Sequence, residues 1–323
     1  MTSLSRSALA ATTLFAGACV RQQPQVLTPV RIDTVRVAVA QPAREPAPAA
    51  SADPFAPLTR VDLPGPNIYR SASGAPGPGY WQQRVDYTID AALDTSAKSV
   101  AGSVTIRYTN HSPDTLRFVW LQLDQNLYAT GSLGSALFPA DSRFGVRGFQ
   151  GGFETRGLTV DGRPAEAVVD DTRMRIELAR PILPRGGKAT IAMAFSFRVP
   201  EHGSDRMGRD GTLYEIAQWY PRMAVYDDVR GWNTEPYLGQ GEFYLEYGDI
   251  DFAVKVPAGF TVAASGILQN AAEVLSPEQR ARLARAAKSP EVVQIITEAE
   301  AKAEPRDGTK SWKFRARNVR DVA

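Results

Sequence analysis

From Tyr80 onward, apolar and polar positions alternate with a period of mostly two. Val85, Tyr87, Ile89 and Ala91 alternate with Arg84, Asp86, Thr88 and Asp90, and Val104, Ile106 and Tyr108 with Ser103, Thr105 and Arg107. Alternation of this kind predicts strands with one face on a core. Leu116 to Leu123 is nearly continuous in apolar residues and predicts a strand covered on both sides. Further strands are predicted at 157–160, 174–178, 189–199, 212–216, 243–256, 261–265, 292–297 and 311–317. Turn chemistry separates them, as at Asp94-Thr95-Ser96, His111-Ser112-Pro113-Asp114 and Asp161-Gly162.

Only one segment carries a helical signature. Ser276 followed by Pro277 and Gln279 is an S-x-x-Q capping box with proline at the first helical position, and it predicts a helix over 277–288. Its sole large apolar residue is Leu283, so it is expected on the surface, between two strands. Many short strands, polar turns and a single surface helix predict an all-β fold, an antiparallel β-sandwich or saddle.

The densest stretch runs from Ala217 to Pro257. It holds Trp219, Tyr220, Tyr226, Trp232, Tyr237, Tyr244 and Tyr247, interleaved with Asp227, Asp228, Glu235, Glu242 and Glu246. Its first half lacks either period and is broken by Pro221, Gly231 and Pro236, which predicts an ordered irregular segment pinned by large side chains. Such a loop leading into a strand displays a site on a rigid frame. Asp227, Asp228 and Glu235 invite comparison with a glycosidase pair, but solvated loop carboxylates are the expected reading. Core and loop-pinning roles are the expected reading of Trp219, Trp232 and Tyr237, with a sugar- or peptide-stacking platform as the alternative.

The start of the chain has a different character. Met1 to Ala18 has the outline of an export signal, with Arg6 ahead of a short apolar run. It ends Ala16-Gly17-Ala18-Cys19, similar to a bacterial lipoprotein cleavage box. Cys19 would then be the lipidated N-terminus and hold an exported protein on a membrane face of the cell envelope; the alternative is an ordinary signal with Cys19 incidental. Residues 19–79 are rich in proline and alanine and predict a disordered tether. The folded domain is expected over 80–323.

Composition narrows the chemistry. Among 323 residues, 37 are basic and 35 acidic, with no long run of either sign, so no nucleic-acid partner is expected. The single cysteine excludes an intrachain disulfide and a cysteine-based zinc site. The two histidines, His111 and His202, are too far apart for an H-E-x-x-H helix and are expected in loops. No Gly-rich phosphate motif stands in the Ser135–Gly152 loop. No catalytic residue and no metal ligand is expected in this chain.

Four pieces, in order, resemble the N-terminal β domain of aminopeptidase N-like zinc metallopeptidases, the gluzincin family that includes the leukotriene hydrolase. They are Tyr87–Asp94 with Val100–Ile106; Leu116–Leu123; Gln218-Trp219-Tyr220-Pro221 with Gly241–Pro257 and Val262–Gly266; and Phe314–Asp321. The resemblance covers the chain from about Tyr80 onward. It implies that a zinc-bearing catalytic domain, absent here, follows as partner, and that the full-length parent hydrolyses peptides. It further implies that Gln218 and Tyr220 face the substrate, Tyr220 standing where the family has a Glu or Gln that anchors the substrate's amine. A phenol lacks that carboxylate's charge. With no zinc ligands and no general-base glutamate, the chain as given is expected to be catalytically silent. The alternative is a non-enzymatic surface lipoprotein that binds a peptide, a glycan or a partner protein through the aromatic loop.

Overall fold

The computed structural model describes residues 65–137, 148–201, 204, 206–239, 241, 244–303 and 307–323. The signal segment, Cys19, most of the tether, His202 and most of the 135–152 loop lie outside them.

Strands dominate. In chain order they are β1 (Arg84–Asp94), β2 (Ser99–Asn110), β3 (Leu116–Gln122), β4 (Glu154–Val160), β5 (Arg163–Pro164), β6 (Ala167–Asp170), β7 (Arg173–Ile182) and β8 (Gly187–Arg198). There follow β9 (Met207–Asp210), β10 (Leu213–Ile216), β11 (Arg222–Met223), β12 (Tyr226–Asp227), β13 (Gly231–Trp232), β14 (Gly248–Pro257), β15 (Ile267–Leu268) and β16 (Thr309–Val319). One sheet has the order β15-β16-β14-β1-β2-β8-β4-β5 and a second β11-β3-β7-β6; β9–β10 and β12–β13 are separate hairpins. This is the expected all-β sandwich. Pairing is antiparallel except between β1 and β14, which run parallel with Tyr87 opposite Ile250 and Ala91 opposite Val254.

The alternation seen in the sequence sets the core. Val85, Tyr87 and Ile89 of β1, Val104, Ile106 and Tyr108 of β2 and Ile191, Met193 and Phe195 of β8 are buried with Val119, Leu121, Met174 and Ile176 of the second sheet. Burying each such side chain contributes roughly 1.5–3 kcal/mol before the entropy of ordering it. The β1–β2 turn closes where Asp94 Oδ1 accepts from the backbone N–H groups of Ser96 (2.8 Å) and Ala97 (2.9 Å).

Several strand assignments need correction. The second face of β3 is only half covered: Phe118 and Trp120 remain partly exposed, with the Arg175 guanidinium 4.1 Å over the Phe118 ring. Residues 261–265 form no strand; Ser265 instead bonds the backbone of Ala323 in both directions. Residues 292–297 are irregular, and Val292 is wholly exposed, because no neighbouring strand is there to receive their alternation. The long strand predicted over 243–256 begins at Gly248. Ahead of Tyr80, Arg70 makes two bonds to Asp228, at 2.7 and 2.9 Å, and lies 5.1 Å over the Tyr80 ring.

The capped helix spans Pro277–Ala286 with both halves of the box formed, Gln279 N–H to Ser276 Oγ at 3.2 Å and Ser276 N–H to Gln279 Oε1 at 2.9 Å. Short helices at Ala271–Val274 and Glu298–Ala303 flank it, and Arg282 pairs with Glu300 across the excursion.

Gly248 opens β14 where the chain passes closest to β1. A Cβ there would meet the Val85 carbonyl oxygen at 1.7 Å, a contact between two backbones that no rotamer relieves. Gly248→Ala is therefore expected to cost about 3 kcal/mol or more, at or beyond the usual range for overpacking. Urea unfolding checks it, and an unchanged midpoint would refute the close approach.

Candidate functional site

The irregular segment from Ala217 to Tyr247 folds into two parts with different work. The first, Gln218–Arg222, clasps the chain's last turn. Trp219 Nε1 donates to the Val322 carbonyl (3.0 Å), and the Tyr220 hydroxyl donates to Asp321 Oδ1 (2.8 Å). Arg222 donates through Nη1 to Asp321 Oδ2 (2.6 Å) and through Nε to Asp124 Oδ2 (3.0 Å). Its Nη2 lies 2.8 Å from Asp124 Oδ1, an ion pair whose angle makes no hydrogen bond. Burial pulls the guanidinium's pKa down, but the two aspartates outweigh it and hold the cation more firmly than usual.

Tyr220 has no exposed surface. Its ring stands edge-on to Tyr87 at 5.3 Å, and burial, then the Asp321 charge, raise its pKa well above the ordinary value. Within this domain it stands behind the surface and supports Asp321, so it reaches no ligand from there. Gln218 is half-buried with a left-handed backbone (φ 51°), and its carbonyl accepts from Gln125 Nε2 at 2.9 Å. The two residues singled out from the sequence are thus close in the chain and unlike in setting: Gln218 is accessible and Tyr220 is not.

The second part is an acidic and aromatic surface built on the β12–β13 hairpin. Tyr226 packs on Trp232 at 5.1 Å, Trp81 stacks on Tyr226 at 5.8 Å, and Trp232 lies 6.1 Å from Tyr108. Asp227 accepts from the Val229 and Arg230 N–H groups (3.0 and 2.7 Å), from Asn233 Nδ2 (3.1 Å) and from the Tyr244 hydroxyl. Burial raises its pKa, but these four donors outweigh that and leave it below the ordinary range. Asp228 is 1% exposed and spent on Arg70, while Glu235 pairs with Arg230 at the surface. Asp227 and Asp228 are therefore structural acceptors rather than the solvated carboxylates expected, and neither is free to act as a nucleophile or base.

Glu246 is the exception. It is 6% exposed, and no hydrogen bond reaches its carboxyl from the described residues. Burial, then the Asp227 charge, push it up to about 8, while Arg320 opposes the shift. Nearby, Arg320 lies 4.5 Å over the Tyr247 ring and 5.8 Å over that of Tyr244.

No protein-family model matches the chain, and no curated protein does. Among the solved structures that it is similar to are M1 zinc metallopeptidases. A point mutant of the enzyme from Deinococcus radiodurans superposes with a TM-score of 0.41 at 14% identity, over 77% of this chain and 43% of that one. The unmutated enzyme gives 0.39 at 14%, over 76% and 43%. A two-domain M1 zinc metallopeptidase mutant bound to L-arginine gives 0.38 at 15%, over 77% and 44%. This chain therefore spans less than half the length of the metallopeptidases it matches. Superposition at this level transfers no site residue and no activity.

Among the described residues no three His, Cys, Asp or Glu side chains are grouped to hold a metal ion. His111 is tied by its ring to the Gln82 carbonyl at 2.8 Å. Sequence reasoning placed Glu246 on the strand predicted at 243–256, as one of the carboxylates interleaved with aromatics, without distinguishing it. The available signal was its position two residues before β14, in a Tyr-x-Glu-Tyr run whose alternation continues the strand and turns the glutamate inward.

Proposed function

We propose that this chain is the N-terminal, non-catalytic β domain of an exported zinc metallopeptidase, helping to shape the substrate cleft of the full-length parent. The supporting observation is that three of the four sequence pieces carrying the resemblance assemble into one connected unit. Tyr87–Asp94 and Val100–Ile106 form the β1–β2 hairpin, β14 pairs with β1, and β16 pairs with β14. Gln218–Pro221 clasps the end of β16 through Trp219 and Tyr220. Gln218, the accessible member of its segment, is the residue placed toward the peptide substrate. Zinc and the hydrolytic residues belong to a following domain, and Cys19 supplies the lipid anchor to an envelope membrane.

A second reading, a surface lipoprotein that binds through its aromatic loop, is favoured by Tyr244 and Tyr247, 42% and 39% exposed beside Arg320. One experiment separates the two. The natural gene product is purified, its zinc is measured, and a panel of aminoacyl and peptide substrates is assayed beside the present chain from Ser51. The metallopeptidase reading expects stoichiometric zinc and turnover in the natural product and neither in the shorter chain. A natural product with neither would leave the binding module.

A further inference from the structure

The β12–β13 hairpin carries the middle of a column of rings that runs from the surface into the core. Tyr69 stands edge-on to Trp81 at 6.5 Å, and Trp81 stacks on Tyr226 at 5.8 Å. Tyr226 lies 5.1 Å from Trp232, which lies 6.1 Å from Tyr108. Each step is a direct aromatic contact. Tyr69, Trp81, Tyr226 and Trp232 are partly exposed, and Tyr108 is buried. Packing accounts for the rings. It does not account for how differently their protons are placed.

Proton placement decides where an oxidised ring comes to rest. Removing one electron from an indole or a phenol turns its N–H or O–H into a strong acid, and the radical is stabilised where a base takes that proton. Trp81 Nε1 is buried and no described residue accepts from it, so the oxidised indole keeps its proton and remains a strong oxidant. The Tyr108 hydroxyl is buried and equally without an acceptor, which makes the inner end a poor resting place. Between them, the Tyr226 hydroxyl donates to Asp114 Oδ2 at 2.8 Å, within reach for proton transfer. Asp114 is exposed, so water receives the proton from it.

We propose that this column is a one-electron relay, which takes oxidising equivalents at Trp81 and Trp232 and deposits them on Tyr226, with Asp114 as the proton acceptor. A small radical oxidant, such as the azide or carbonate radical, gains one electron from an indole and leaves an indole radical cation. One electron then passes from the Tyr226 phenol to that cation, while the O–H proton passes to Asp114. The indole is restored, and the products are a neutral tyrosyl radical and a protonated carboxyl. A thiol or ascorbate returns one hydrogen atom to the phenoxyl oxygen, and Asp114 releases its proton to water, which closes the cycle.

Trp219 and Tyr220, 5.3 Å apart with Tyr220 bonded to Asp321, have the same three parts. Both rings are buried, however, and among the described residues no ring contact joins them to the column. They are out of reach of an oxidant in solution. The proposal is independent of the metallopeptidase reading, because its test involves neither zinc nor hydrolysis.

The test is pulse radiolysis of the whole chain in azide solution at neutral pH, where the azide radical oxidises tryptophan in preference to tyrosine. The indole radical absorption should decay as the tyrosyl absorption grows, at a rate independent of protein concentration and slower in deuterium oxide. Tyr226→Phe keeps the ring stack and should lose most of that tyrosyl growth. Asp114→Asn, a change at an exposed position, keeps an acceptor for the hydroxyl but no base for its proton. It should slow the growth by about tenfold or more, the equivalent of one hydrogen bond to a charged group. Tyr214→Phe, at a partly buried tyrosine packed on Phe260 away from the column, should leave the rate unchanged. Unchanged tyrosyl growth in Tyr226→Phe would place the radical elsewhere and overturn the proposal. So would a wild-type rate in Asp114→Asn, or a rate proportional to protein concentration. Near-UV circular dichroism confirms that the variants keep the native packing.

Discussion

Replacing Arg222 with methionine lowers the unfolding free energy by about 3–5 kcal/mol, the usual cost of removing one partner from a buried ion pair. The reason lies with the carboxylates left behind. The Asp124 side chain has no exposed surface and that of Arg222 only 5%, so water cannot replace the lost guanidinium. Asp321, a third exposed, is partly resolvated and adds less. Two companion changes separate charge from packing. Tyr220→Phe removes only the hydroxyl's bond to Asp321 and should cost about 1–2 kcal/mol. Adding Asp124→Leu to Arg222→Met should restore much of the loss, because exchanging a whole buried pair for apolar groups is often near neutral. Urea unfolding at pH 7 measures all three. A loss below about 1 kcal/mol for Arg222→Met would mean that the clasp is solvated and contributes little.

Glu246→Gln makes the protein more stable at high pH and leaves it unchanged in acid. The Glu246 carboxyl titrates near 8 in the folded chain against an ordinary 4.5. Between those values the native state holds a proton that the unfolded chain has released, so stability falls as pH rises through that window. Below pH 4.5 the group is neutral in both states and contributes no difference. Above pH 8 folding buries a charge, at a cost of roughly 3–5 kcal/mol from the size of the shift. Glutamine has the shape of the protonated acid and no charge to bury. Unfolding free energies of wild type and variant should therefore coincide at pH 4 and diverge by that amount at pH 9. Other ionisable groups are common to both proteins and cancel in the difference. A difference that does not change with pH would mean that water already solvates the carboxyl.

Glu246 and Arg222 also mark where reading from sequence reaches its limit. The alternation of Val85 to Ala91 and of Val104 to Tyr108 was sufficient to name two strands and their buried faces. The period of two follows from the backbone and needs no knowledge of the partner. Ser276, Pro277 and Gln279 were sufficient for the helix start, since a cap is satisfied within four residues. The same reasoning misplaced strands at 261–265 and 292–297, where the pattern is present but no neighbouring strand receives it. In the aromatic segment, Asp227 and Asp228 read as loop carboxylates and Glu246 as one more carboxylate on a predicted strand. The fold gives them three settings: four donors for the first, Arg70 for the second and no bond from a described residue for the third.

What the sequence by itself determined is therefore local: the strand-rich class, the inward positions of the first two strands, the capped surface helix and the change in character ahead of the domain. What only the tertiary structure decided is long-range. The parallel pairing of β1 with β14 joins segments about 160 residues apart, and Arg222 meets Asp124 and Asp321 across about a hundred. The burial that turns Tyr220 from a candidate ligand contact into a support for Asp321 belongs to the same class. Strand periodicity and helix caps are satisfied by neighbours in the chain, whereas burial and charge pairing depend on which distant segments close the loop, and no short window of sequence contains that information.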